Sequence, residues 1–219
     1  AERLASRVVD GLYDGATEAE VDQLAAETAA YEASMHPDYS RLAARVTVER
    51  LHACTDASFA ASMRKLAEHS HPLRGPCPLI TPEFAALAAR MGPLLDGALR
   101  HERDYEYDYF GLRTLQRAYL LGHDPTTGMS IERPQHMLMR VALAVHGEDT
   151  ASVLEAYDKM SRGEYTHATP TLFNAGCPRG QLCSCFLLTT EADSVEGIFS
   201  TLTRCAPISR SAGGIGVPV

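Results

Sequence analysis

Cys183 and Cys185, two residues apart in QLCSCFLL, are the side chains of this sequence best suited to redox chemistry, because a thiolate is a nucleophile and exchanges with disulfides. In an extended segment alternate side chains share a face, so the two thiols point one way and Ser184 the other. Neighbours at that spacing sit roughly 6 to 7 Å apart, too far for an unstrained disulfide, so a redox partner of either lies elsewhere in the fold. The competing reading packs both as small buried hydrophobes. Farther on, Asp193 and Ser194 precede a helical pattern. Free amides at a helix start can hold a phosphate or a ribose hydroxyl, although the same residues serve as ordinary N-caps. Arg210, one helix length later, offers a countercharge to such an anion, and Gly213, Gly214 and Gly216 suit a tight turn or close backbone approach to a ligand. His167, Cys177, Cys183 and Cys185 are conceivable zinc ligands, but one CxC and a distant cysteine fit the paired knuckles of structural zinc sites poorly.

The elements that must carry these groups change character along the chain. Before His167 the pattern is helical. Leu4, Val8 and Leu12 share a face; Thr17 and Glu20 form a capping box for a helix bearing Val21, Leu24 and Thr28. A helix from about His36 and Pro37 has Leu42, Val46 and Leu51 on its apolar side, and another carries Phe59, Met63 and Leu66. HSHPLRGPCPL, with three prolines, reads as a linker before Thr81 caps a helix containing Phe84, Leu87 and Met91. Asp104 to Leu112, DYEYDYFGL, fits a strand or a helix. Two helices, Pro134 to Gly147 and Asp149 to Gly163, make a helical hairpin. Then QLCSCFLL is of strand length, and Asp193 with Glu196 forms a capping box for a helix bearing Ile198, Leu202 and Cys205. Strand, helix and glycine turn together open an α/β unit. The closing GGIGVPV reads as a strand without room to pair, and both ends of the chain are abrupt, as expected of a piece of a longer polypeptide.

Composition narrows the function classes. The 219 residues are 45% hydrophobic, enough for a buried core, and carry a formal charge of -8. Net acid argues against coating nucleic acid. No run of eighteen apolar residues occurs, so neither a membrane partner nor export is expected. Six cysteines are too few for a disulfide scaffold of this length, and a reducing cytoplasmic setting follows.

HATPTLFNAG, QLCSCFLL, DSVEGI and ISRSAGGIGV together resemble the large subunit of ribonucleotide reductases, in the class I eukaryotic-type form. LYDGATEAEVDQLAAETAAY, HPDYSRLAARV, YDYFGLRTLQRAYLL and ERPQHMLMRVALAVHGED resemble the same family in the same order. The resemblance implies a mainly α N-terminal region followed by the start of a ten-stranded α/β barrel, incomplete here. Residues 1–54 would be a remnant of an ATP cone, 55–165 the helical region, and 166–219 the first barrel strand, its helix and a glycine turn.

It further implies the reduction of ribonucleoside diphosphates by thiyl-radical chemistry. A thiyl radical takes the 3′ hydrogen, the 2′ hydroxyl leaves as water with a thiol proton, and a cysteine pair becomes a disulfide. Cys185 matches a reducing cysteine, with Cys183 where serine is usual. Thr169, Ser184, Gly213 and Gly214 match substrate contacts. Asp193, Ser194, Val195 and Arg210 match an effector site completed across a homodimer, with Arg210 where lysine is usual. Implied partners are a separate metal-containing, radical-generating small subunit, thioredoxin or glutaredoxin as reductant, and the effectors ATP, dATP, dTTP and dGTP; the resemblance implies no metal or other cofactor bound directly by this chain. Glu18 and Ala53 replace a Thr and a Lys that touch ATP, which puts overall activity control in doubt, and without the radical cysteine the piece alone is expected to be inactive. The alternative is a non-catalytic helical module that binds a nucleotide or a partner.

Overall fold

The computed structural model describes residues 2–71, 73, 75–124, 127–178, 180–211 and 213–218. Pro72 and Arg74 of the expected linker and Ala212 of the glycine segment lie outside them. The fold is mainly helical: α1 (Glu2–Asp10), α2 (Glu18–Tyr31), α3 (Pro37–Cys54), α4 (Phe59–Ala67), a two-residue hairpin of β1 (Ser70–His71) and β2 (Gly75–Pro76), α5 (Pro82–Ala98), α6 (Tyr109–Thr114), α7 (Pro134–His146), α8 (Thr150–Ser161) and α9 (Thr169–Asn174). It finishes as β3 (Cys185–Leu187), α10 (Val195–Arg210) and β4 (Gly214–Gly216), with β3 and β4 parallel. No helix among the described residues is long and apolar enough to cross a membrane.

Local chemistry explains most boundaries. The Thr17 hydroxyl accepts from the Glu20 amide while the Glu20 carboxylate accepts from the Thr17 amide, the capping box expected of α2. Ser58, Thr81 and Asp149 cap α4, α5 and α8. Asp104 to Leu112 resolves as helix: a 3-10 turn over His101–Glu106, then α6 capped by Asp108. Gly147 and Gly163 adopt positive φ just past α7 and α8, the conformation glycine supplies at helix ends.

Several expectations need correction. The first helix ends at Asp10, so Leu12 lies outside it. On α3 the buried face is Ala43, Ala44, Thr47, Val48 and Leu51, whereas Leu42 is 42% exposed; buried Ala26 and Ala29 of α2 show that small residues let these two helices approach closely, and the larger leucine is turned out. The strand begins only at Cys185, leaving Cys183 outside it. Gly214–Gly216 is a paired strand rather than an unpaired one or a turn.

The core lies among α4, α5, α7, α8 and α9, built from Phe59, Met63, Leu66, Phe84, Leu95, Met137, Leu143 and Tyr157. Helix α7 is buried at every residue from Pro134 to Leu143, including Gln135, His136 and Arg140. Polar groups so placed must find partners. Gln135 accepts from the hydroxyls of Tyr157 (2.8 Å) and Ser161 (2.6 Å), which ties α7 to α8.

Candidate functional site

A cavity of about 930 Å³ opens between α9, the segment leading into β3, and the end of α10, lined by Thr169, Phe173, Asn174, Gln181, Ser184 and Arg210 among others. Its α9 wall is anchored on α7. Arg140, fully buried, binds both oxygens of Glu132 and donates from Nη1 to the Ala175 carbonyl (2.7 Å) and from Nη2 to the Leu172 carbonyl (3.1 Å). Those carbonyls lie at the end of α9, where the helix leaves acceptors without intrahelical partners. Glu132 also accepts from the Leu121 amide (2.9 Å), so one buried ion pair fixes three separate segments.

Helix α9 then holds the approach to the strand. The Thr171 hydroxyl donates to the Leu182 carbonyl (3.0 Å) and the Asn174 amide to the Gln181 carbonyl (2.8 Å). Thr169, the first residue of α9, has its Oγ1 3.2 Å from the Tyr119 hydroxyl, and the Tyr119 and Phe173 rings pack 4.6 Å apart. Gly176, with φ of 79°, turns the chain against the Phe84 ring.

Strand alternation sorts the residues after Gln181. Ser184 and Phe186 are half-buried, whereas Cys183, Cys185 and Leu187 are exposed. Both thiols are exposed, so neither is a packed core residue. Cys185 borders a second hollow of about 480 Å³ with Phe186, Leu187, Gly214, Ile215 and Gly216, along the paired strands β3 and β4. The Gly214 amide donates to the Ser184 carbonyl (2.8 Å), and a Cβ on Gly214 would stand 3.6 Å from the Cys185 sulfur. At Gly213 a Cβ would come within 2.8 Å of Ile208 and Phe186, so that glycine is demanded by packing of α10 on the sheet.

The four residues matched to an effector site do not form one cluster within the chain. Ser194 caps α10, its hydroxyl accepting from the Gly197 amide (3.0 Å); the expected box of Asp193 and Glu196 is therefore replaced by Ser194 alone. Asp193 and Val195 are exposed beside it. Arg210 is the last residue of the same helix, about 22 Å away at 1.5 Å per residue, and borders the Thr169 and Ser184 cavity instead. It cannot neutralise an anion held at the other end of its own helix.

Cys177 is half-buried, its sulfur donating to the Phe173 carbonyl, and burial raises its thiol pKa. Burial lowers the pKa of His167. Among the described residues, the three metal-ligating groups that converge are not His167, Cys177, Cys183 and Cys185 but His52, His101 and Asp104. Sequence reasoning also passed over Tyr119, Asn174, Gln181 and the Arg140–Glu132 pair. The signal for the pair was Glu132 two residues before α7 and Arg140 within its otherwise apolar stretch MLMRVALAV.

Residues 105–180 match the family described as ribonucleotide reductase, all-alpha domain. Over 217 residues, 99% of the chain, the sequence is 48% identical to the ribonucleoside-diphosphate reductase large subunit of Arabidopsis thaliana and 46% identical to the large chain of Schizosaccharomyces pombe. It is likewise 48% identical to the large subunit of Caenorhabditis elegans over the same length. The chain spans about a quarter of these relatives, 26%, 26% and 27% of their lengths.

Proposed function

The chain belongs to the ribonucleotide reductase large-subunit family, and we propose that it supplies the first reducing thiol, part of the substrate pocket and one half of an effector site to a ribonucleoside-diphosphate reductase. In this reading residues 1–54 are the remnant of a nucleotide-binding cone, 55–165 a helical scaffold, and 166–219 the start of an α/β barrel.

The observation that carries it is the strand itself. Cys185 is exposed on β3 with Gly214 opposite it and no side chain between, while Ser184, one residue earlier, borders the cavity that Thr169 and Arg210 share. A ribonucleoside diphosphate crossing the edge of this sheet would offer its sugar to Cys185 and its polar groups to Thr169 and Ser184. Cys185 would give a proton to the departing 2′ hydroxyl. With a second cysteine from beyond this span it would supply two electrons, forming a disulfide that thioredoxin or glutaredoxin reduces. A radical-generating small subunit would create the thiyl radical elsewhere in the complete enzyme.

The helix geometry supports a paired arrangement for effector control. Asp193, Ser194 and Val195 at one end of α10 and Arg210 at the other could meet around one nucleoside triphosphate only if two copies are apposed. Exposed Val195, Ile198, Phe199 and Leu202 form an apolar stripe along α10, as such an apposition requires.

The test is a chimera in which this chain replaces the matching 217 residues of the Arabidopsis relative. It should reduce nucleoside diphosphates with a dithiol donor, and Cys185→Ser should abolish steady-state turnover while retaining substrate binding. Unchanged turnover in the Cys185→Ser chimera would refute the assignment.

A further inference from the structure

Away from the cavity, three side chains from two elements converge where helix α3 meets the 3-10 turn. His52 comes from the last turns of α3, and His101 and Asp104 sit three apart on His101–Glu106. In a 3-10 helix residues i and i+3 eclipse, so the last two project together toward α3. The three ligand atoms lie within 4.8 Å of one another, with His52 Nε2 2.7 Å from Asp104 Oδ2. Asp104 is wholly buried. We propose that His52, His101 and Asp104 form a site for a divalent transition-metal ion of the zinc class, which clips α3 to the 3-10 turn.

Two further observations point to a ligand. The His101 Nε2 is used up by the Ala57 carbonyl at 2.9 Å, and its Nδ1 is buried with no hydrogen-bond partner. A metal-ligating histidine commonly has this form, one nitrogen fixed on a backbone carbonyl and the other turned to the ion. Asp104 is oriented in the same manner, its Oδ1 accepting from Gln135 Nε2 (3.0 Å), whose own amide oxygen is fixed by Tyr157 and Ser161.

Two imidazoles and one carboxylate are the donor set of zinc and its first-row neighbours, whereas calcium and magnesium want mostly oxygen. Zinc-to-nitrogen and zinc-to-oxygen bonds of about 2.1 Å set tetrahedral ligand atoms roughly 3.4 Å apart, so the site closes when the 2.7 Å His52–Asp104 contact opens by about 0.7 Å and the wider separations, none above 4.8 Å, draw in by at most about 1.4 Å. Arg133 is the opposing charge. Its guanidinium is held on the His52 and Thr55 carbonyls, so the buried Asp104 carboxylate must offset its repulsion of the ion.

The experiment titrates Zn²⁺ and Co²⁺ into the metal-free full chain by calorimetry and visible absorption. One equivalent should bind, raise the melting temperature, and give a Co²⁺ spectrum without a thiolate charge-transfer band. His101→Phe, which keeps a ring in place, should weaken binding by about 100-fold while circular dichroism stays unchanged. No stoichiometric binding, a thiolate band that reports the exposed cysteines instead, or equal affinity in His101→Phe would overturn the proposal. If that variant does not fold, imidazole ¹⁵N shifts in the unmodified chain decide: movement of His52 and His101 on adding Zn²⁺ supports the site, and unmoved resonances refute it.

Discussion

Arg140 and Glu132 meet inside the protein with neither side chain exposed, Nε to Oε1 at 2.6 Å and Nη2 to Oε2 at 3.1 Å. The pair is the hub from which the cavity is hung, because the same guanidinium holds the last carbonyls of α9. Arg140→Met should cost about 3–5 kcal/mol in urea unfolding, since it strands a buried carboxylate. Adding Glu132→Leu should recover only part of this, because the Leu172 and Ala175 carbonyls remain without their donor. Full recovery in the double variant would show that the contacts to α9 contribute nothing.

Gly176 and Gly214 should respond unequally to alanine. Gly176 has positive φ, and a Cβ there would stand 2.9 Å from the Phe84 ring, so Gly176→Ala should cost about 1–3 kcal/mol. A Cβ on Gly214 meets only ordinary contacts, the nearest at 3.5 Å, so Gly214→Ala should leave stability within about 0.5 kcal/mol. It should nevertheless slow alkylation of Cys185, whose sulfur it would crowd. Equal thermal shifts for the two variants would contradict this packing account.

Thiol labelling checks the placement of the cysteines. Cys183 and Cys185 are exposed, whereas Cys177 is half-buried with its pKa raised by burial. Iodoacetamide at neutral pH, followed by mass spectrometry, should label the first two ahead of Cys177, and the gap should narrow as pH rises. Cys177 labelling first would overturn the burial assignment.

The carboxylate of Glu20 is held down to about 2, chiefly by the hydrogen bond from the Tyr13 hydroxyl and then by the Thr17 amide and hydroxyl. A lowered folded-state value means the stabilisation is present above the ordinary value of 4.5 and is lost as pH falls through about 2. Carbon NMR titration of Glu20 should give that low midpoint, and Tyr13→Phe should move it up toward the ordinary value. A midpoint unaffected by Tyr13→Phe would refute the assigned cause.

Because α10 keeps Asp193 and Arg210 at opposite ends, effector binding should require two copies. In the chimera, Asp193→Ala and Arg210→Ala should each lose dTTP binding, and mixing the two variants should restore it in part through dimers with one intact site. No recovery on mixing would argue against the shared site.

Much of the helical scaffold was legible because its signals are local. Thr17 with Glu20, Thr81 with Pro82, and Gly147 with Gly163 each declare a helix end through their own chemistry. The face of α3 was misread because apolarity alone favours Leu42, whereas close packing against α2 rewards Ala43 and Ala44. Asp104 to Leu112 stayed ambiguous because alternating tyrosine and acid satisfies either period. Thr169 and Ser184, which line the cavity, stand in segments that carry the family resemblance, but Tyr119, Asn174 and Arg140 act through contacts across 7 to 50 residues, which no local pattern announces. The His52, His101 and Asp104 group was hidden for the same reason, its members lying up to 52 residues apart.

The most direct test of the central claim is a single turnover of the pre-reduced chimera with a ribonucleoside diphosphate and no external dithiol, followed by differential alkylation. The account predicts that Cys185 passes from free thiol to disulfide in proportion to deoxynucleotide formed, while Cys177 stays reduced. Product formed with Cys185 still free would contradict it.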